Sequence, residues 1–290
     1  MTTVLPSGCS LGCKIEGLDL SKHLSQSDES LILDALAKFG VACFPNQSLE
    51  PERQKAFASR FGSLEVNVAA GHYTVPGHPE VMILSNVIEN GKPIGLADAG
   101  QDWHTDMSYS ATVAFLNVLH AVRVPIRDGK TLGDTEFLDM CAAYDALSEN
   151  MKRRIAGKTA THDFNKFWSK MVAAPGTQRM PLTIAQRAAK PPVSHPIVLR
   201  HPISGRKALY CNVGYVVRVD GVSQAESDEI LQHLFAHQVL DRFKFTHHWT
   251  EGDVLVWDNL WTVHNAVADY GPDDFRLMRR CQVMVDKYFG

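Results

Sequence analysis

Long apolar runs are missing from this chain: nowhere do its 290 residues hold the roughly 20 consecutive apolar positions that a bilayer-spanning helix needs. An excess of one charge is missing too. The 29 basic and 32 acidic residues leave a net charge of −3, well mixed along the chain, which gives no electrostatic footprint for nucleic acid or an anionic membrane. Cysteine is sparse. The six thiols (Cys9, Cys13, Cys43, Cys141, Cys211 and Cys281) follow neither a disulfide-framework nor a zinc-like spacing, and are expected to be reduced. Residues 1–6 lack the basic start and apolar core of a secretory signal, so a cytoplasmic location is expected. Internal repeats and low-complexity segments are absent as well. What is present, 45% hydrophobic and 21% charged residues, is the composition of a soluble globular protein with a sizeable core.

Periodicity and punctuation predict the elements. Residues 25–39 read as a helix, with Ser27 as cap, Ile32, Leu33 and Leu36 at helical spacing, and Gly40 as the stop. A second helix is expected over 50–61, with Pro51 in its first turn. Residues 137–155 read as a third, with Asp139 and Glu149 exposed, and 223–237 as a fourth. Strands are expected at 13–20, 41–44, 80–87, 113–122, 196–199, 207–211, 243–249, 253–257, 263–268 and 275–285. Asn90-Gly91 and residues 125–129 mark turns. Residues 160–195 mix aromatics with Pro, Gly and Gln and read as a lid or binding loop. Strands on both flanks of a helical middle predict a mainly β chain with flanking helices, a double-stranded β-helix or distorted jelly roll. Residues 1–290 are taken as one domain, with a helical lid insertion around 135–195.

Chemistry concentrates at Trp103-His104-Thr105-Asp106. An imidazole and a carboxylate two residues apart can reach one ion from one face of an extended segment. His264, 160 residues further on, is the candidate third ligand. Two His and one carboxylate form the facial triad that binds non-haem Fe(II) and leaves coordination positions open. Thirteen histidines supply many chance partners, so the pattern alone also allows an ordinary His–Asp contact. His247-His248 competes weakly, because adjacent strand residues point to opposite faces. Near the C-terminus Arg276, Met278 and Arg280 share one strand face and Arg279 the other. Two buried arginines would require anions; a solvated basic edge strand is the alternative.

The ordered set of Trp103-His104-Thr105-Asp106, Gly129-Lys130-Thr131, His264 and the segments 57–65, 139–144, 201–207, 252–259 and 276–280 resembles the taurine dioxygenase and 2,4-dichlorophenoxyacetate dioxygenase family of Fe(II)/2-oxoglutarate enzymes over nearly the whole chain. The resemblance implies Fe(II), 2-oxoglutarate and O2 as cofactor and cosubstrates. It implies His104, Asp106 and His264 as metal ligands, Thr131 and Arg276 on the distal carboxylate of 2-oxoglutarate, and Arg280 on an anionic group of the substrate. His72 and Tyr215 are further candidates for the substrate pocket. The implied reaction hydroxylates, and can thereby cleave, a small carboxylate or sulfonate, with release of succinate and CO2. Asp128-Gly129-Lys130 departs from the family's usual Gly-Gly, and Gly100 replaces a side chain near the substrate amine; both point away from taurine itself. A carboxylate at Asp106 argues against a halogenase. Desaturation or ring formation by the same iron chemistry remains open. So do a zinc hydrolase using Asp102 or Glu65 as base and a non-enzymatic binding protein. A homo-oligomer is expected from the family alone.

Overall fold

Strand 114–123, Ala-Phe-Leu-Asn-Val-Leu-His-Ala-Val-Arg, is buried over its first eight residues, as expected of a strand covered on both faces. It lies inside an eight-stranded sheet of this computed structural model, which describes residues 2–66, 73–173 and 180–288. The sheet runs Thr3–Pro6, Cys13–Glu16, Val41–Phe44, Val254–Asp258, Ala114–Arg123, Leu277–Met284, His78–Ser85, Thr74–Val75. All neighbours are antiparallel except Cys13–Glu16 with Val41–Phe44. Alternation along each strand sends side chains to two cores. Leu116, Val118, Cys281 and Val283 join Ile32, Leu36, Phe57 and Phe61 in one. Leu119, Ala121 and Met278 join Phe137, Trp257 and Val263 in the other. The second core is roofed by a three-stranded sheet in the order Lys244–His247, Thr135–Asp139, Thr262–Ala266.

The first core is covered by helices Gln26–Phe39 and Pro51–Ala58. Ser25, not Ser27, caps the former: its hydroxyl accepts from the Asp28 amide, and the Asp28 carboxylate reaches back to the Ser25 amide. Ser223 caps Gln224–Gln238. Asn90 and Gly91, both at positive φ, close a two-residue hairpin between Ile88–Glu89 and Lys92–Pro93. Asp128 and Gly129 do the same between Ile126–Arg127 and Lys130–Thr131.

The expected helix over 137–155 is corrected. Its first residues belong to strand Thr135–Asp139, and two short helices, Met140–Asp145 and Glu149–Ile155, follow. Phe137 and Leu138 run into Met140 and Cys141 without a polar break, and a strand buried on both faces carries no period to separate it from a helix. Asp139 is buried rather than exposed, because its carboxylate accepts from the Ala142 amide and caps the helix. Residues 160–195 are not a plain loop. They contain strand Thr159–His162, helices Phe164–Ala173 and Ile184–Ala189 and strand Val193–Pro196; residues 174–179 lie outside those described. No helix among the described residues is long and apolar enough to cross a membrane.

Candidate active site

His104 and His264 meet through their backbones. The His104 amide donates to the His264 carbonyl at 3.0 Å, and the His264 amide to the His104 carbonyl at 2.9 Å. Strand Thr262–Ala266 is held on its other side by Thr135–Asp139, with Phe137 opposite His264. The bridge puts the two imidazoles on the same face, with ring centroids 4.2 Å apart. The expected extended presentation of residues 104–106 holds only at His104: an isolated bridge fixes that residue, and the chain then turns, with Met107 at positive φ. The turn swings Asp106 back, so that Oδ1 lies 3.5 Å from His104 Nε2 and Oδ2 lies 3.7 Å from His264 Nε2.

The three side chains are buried, and one donor atom of each lies within 4.8 Å of the others. His104 Nδ1 is 2.8 Å from the Asp102 carbonyl oxygen, a contact that orients the ring and leaves Nε2 toward Asp106. Asp106 Oδ2 accepts from Asn117 Nδ2 at 2.7 Å and from Arg280 Nη1 at 3.2 Å. Burial pushes the Asp106 carboxyl up, but the Arg280 guanidinium above all, with a hydrogen bond from His104, outweighs it and holds the group well below the ordinary carboxylate range. Burial, reinforced by His104, holds His264 well below the ordinary imidazole value, so its ring stays neutral. Two imidazole nitrogens and an ionised carboxylate fit a first-row divalent ion such as Fe(II).

Arg276 and Arg280 are both buried, whereas Arg279 turns away and donates to the Leu49 carbonyl. Arg280 Nε and Arg276 Nε have no hydrogen-bond partner among the described residues. Burial lowers the Arg276 pKa, with Tyr270 and Asp269 opposing. Gly133, at positive φ, lets the Arg276 side chain pass: a Cβ there would meet Nε at 2.9 Å. Thr131 stands half-buried two residues before Gly133, on the arm of the Asp128-Gly129 hairpin. Tyr215 is buried, 6.3 Å from the His104 ring and 4.7 Å from Tyr109. His72 lies outside the described residues. A Cβ at Gly100 would be 3.7 Å from His104 Cε1, so its lack of a side chain bears directly on this site.

Sequence reasoning missed Asn117, Asn259 and Tyr109. Asn117 was visible as a polar residue in an apolar strand; its partner was not. Asn259 accepts from Asn117 Nδ2 at 3.3 Å. Helix Phe164–Ala173 brings Phe167 to 5.7 Å from the His104 ring and 5.2 Å from Tyr215. Asp102, considered as a hydrolytic base, is instead ion-paired with Lys170 of that helix.

A family model described as taurine catabolism dioxygenase TauD, TfdA family matches residues 5–282. Alpha-ketoglutarate-dependent 2,4-dichlorophenoxyacetate dioxygenase from Cupriavidus pinatubonensis is 32% identical over 94% of this chain and 94% of its own. Pentalenolactone F synthase from Streptomyces avermitilis is 30% identical over 96% of this chain and 92% of its own. The crystal structure of AAD-2 in complex with Mn(II) and N-oxalylglycine superposes with a TM-score of 0.79 at 27% identity, covering 98% of this chain and 97% of that one.

Proposed function

From the premise that this chain belongs to the taurine catabolism dioxygenase TauD, TfdA family and is an Fe(II)- and 2-oxoglutarate-dependent dioxygenase, we propose that it hydroxylates a small organic anion at a C–H bond. The reading of the site rests on one observation: the backbone bridge between His104 and His264 that gathers two imidazoles and the Asp106 carboxylate at one buried point. His104, Asp106 and His264 hold the iron. Bound iron, with 2-oxoglutarate and O2 as cosubstrates, would supply the oxidising power for hydroxylation, with release of succinate and CO2.

The remaining work belongs to the chain's own residues. Thr131 and Arg276 take the distal carboxylate of 2-oxoglutarate. Arg276 suits the task because its guanidinium is buried, its Nε lacks a partner, and its planar fork matches a carboxylate. Arg280 steadies Asp106 through Nη1, donates to the Met82 sulfur through Nη2, and is proposed to meet a carboxylate or sulfonate of the substrate. Tyr215 lines the substrate pocket, and His72 is proposed as a substrate contact on the family resemblance alone. Tyr215, Tyr109 and Phe167 wall the site with rings that exclude water and suit an apolar body next to that anion. Hydroxylation beside a heteroatom would cleave the substrate. The whole chain acts as one domain, a double-stranded β-helix in which the eight- and three-stranded sheets close over a shared core, with helix Phe164–Ala173 as part of a lid.

Anaerobic addition of Fe(II) and 2-oxoglutarate tests this reading. A weak visible charge-transfer band is expected, lost in His264→Ala and in Arg276→Ala. A panel of carboxylates and sulfonates scored by O2-dependent succinate formation then finds the substrate. Folded, iron-loaded protein that gives no band and binds no 2-oxoglutarate would sink the site assignment.

A further inference from the structure

A second group of three potential metal ligands stands apart from the first. Among the described residues only two such groups exist, and the other is Cys43, His247 and Asp253. Each comes from a different segment. Cys43 lies in strand Val41–Phe44 and His247 ends strand Lys244–His247. Asp253 sits in the turn before Val254–Asp258, where its Oδ2 accepts from the Thr250 amide at 3.0 Å and its carbonyl from the Ala121 amide at 2.8 Å. One ligand thus lies in the eight-stranded sheet, one in the turn leading into it, and one in the three-stranded sheet.

All three side chains are buried, and their donor atoms lie within 4.8 Å of one another. A tetrahedral zinc site with bonds of about 2.1 Å needs donors roughly 3.5 Å apart, a distance that small side-chain rotations can reach. His247 supplies an independent sign. It is only 9% exposed, its Nε2 lies 3.2 Å from Asp253 Oδ2, and yet that nitrogen has no partner of hydrogen-bond geometry among the described residues. A buried polar atom of this kind calls for a ligand. The group also opens onto a cleft of about 580 Å³, with Lys14 on its wall.

We propose that Cys43, His247 and Asp253 form a second metal site, selective for Zn²⁺, with its fourth position open to the cleft. Ligand softness separates the two sites. Sulfur, nitrogen and one carboxylate oxygen suit zinc, while the His104 site offers no sulfur. Zn²⁺ with one thiolate and one carboxylate is neutral, which limits the cost of burial. On binding, the Cys43 thiol loses its proton to solvent and a sulfur–zinc bond replaces the S–H bond, with no change of oxidation state. The ion joins the two sheets at one end of their shared core.

Co²⁺ is the probe, added to the full chain. Cobalt bound at His104, Asp106 and His264 gives no thiolate band, so an intense near-ultraviolet sulfur-to-cobalt transition reports the second site alone. In His104→Ala, which removes the first site, that band should persist and saturate at one equivalent; it should be displaced by Zn²⁺, persist in Cys13→Ser, and vanish in Cys43→Ser. His247→Gln keeps every thiol and should weaken cobalt binding at this site at least tenfold, which covers the case in which Cys43→Ser fails to fold. Absence of the band in folded protein overturns the proposal. So does a band that survives Cys43→Ser, or cobalt affinity unchanged in His247→Gln.

Discussion

Phe137 lies directly across the strand pair from His264, with its ring centroid 6.2 Å from the imidazole. The same ring stands edge-on to Trp257 at 5.5 Å, so it fixes one wall around His264, the proposed iron ligand, without donating to it. Phe137→Ala should cost about 3–5 kcal/mol of stability, as expected for emptying a buried aromatic site. It should also weaken Fe(II) binding, because His264 gains rotational freedom. Urea unfolding and Fe(II) titration of the same variant test both effects; full metal affinity in a destabilised protein would separate packing from positioning.

Asn117 holds Asp106 from a strand that contributes no proposed metal ligand. Asn117→Ala leaves Oδ2 to Arg280 alone, and the loss should be about 10- to 100-fold in metal affinity, the usual scale for a partner that orients a ligand. Mn(II) titration followed by electron paramagnetic resonance measures it. An unchanged dissociation constant would remove Asn117 from the site.

Arg276 and Gly133 should fail together. Arg276→Lys keeps the charge but loses the planar fork, and Gly133→Ala places a methyl group against Nε in a backbone conformation that disfavours any side chain. Both should raise KM for 2-oxoglutarate by about tenfold or more and leave Fe(II) affinity intact. Steady-state kinetics with varied 2-oxoglutarate, alongside metal titration, gives the answer. Altered metal binding with an unaltered KM would place Arg276 elsewhere in the reaction.

His162 predicts a pH dependence of stability. It is fully buried, neither ring nitrogen has a hydrogen-bond partner among the described residues, and burial with His195 nearby lowers its pKa from 6.5 to about 3. Below pH 6.5 the unfolded chain binds a proton that the folded imidazole refuses. Stability from this group is therefore complete above pH 6.5 and falls as pH drops toward 3, by up to about 1.4 kcal/mol per unit. His162→Phe should flatten this part of the profile. Denaturation curves between pH 7 and 4 compare the two proteins, and parallel slopes would show that other groups set the acid limit.

Legibility in the sequence followed the range of each interaction. The helices at 26–39 and 224–238 could be read because period and cap are local. Strand Thr135–Asp139 could not, because both of its partners lie more than a hundred residues away. His104 and Asp106 were visible as a spaced pair, and His264 as a residue type, while the bridge joining them depends on a pairing across 160 residues. Arg276 and Arg280 were legible from strand alternation, and both proved buried. Asn117 was overlooked because an isolated polar residue in a buried strand shows that it needs a partner without showing which one.

The bridge between His104 and His264 also sets the order of events while the chain is made. Residue 104 emerges from the ribosome long before residue 264, and until strand Thr262–Ala266 docks there is a His–Asp pair but no triad. With the proposed ligand set, iron capture therefore waits for nearly the whole chain. A growing or truncated chain that ends before that strand cannot assemble the triad, so under the proposed assignment it cannot become a partly built oxidant, and metal loading would mark a finished fold.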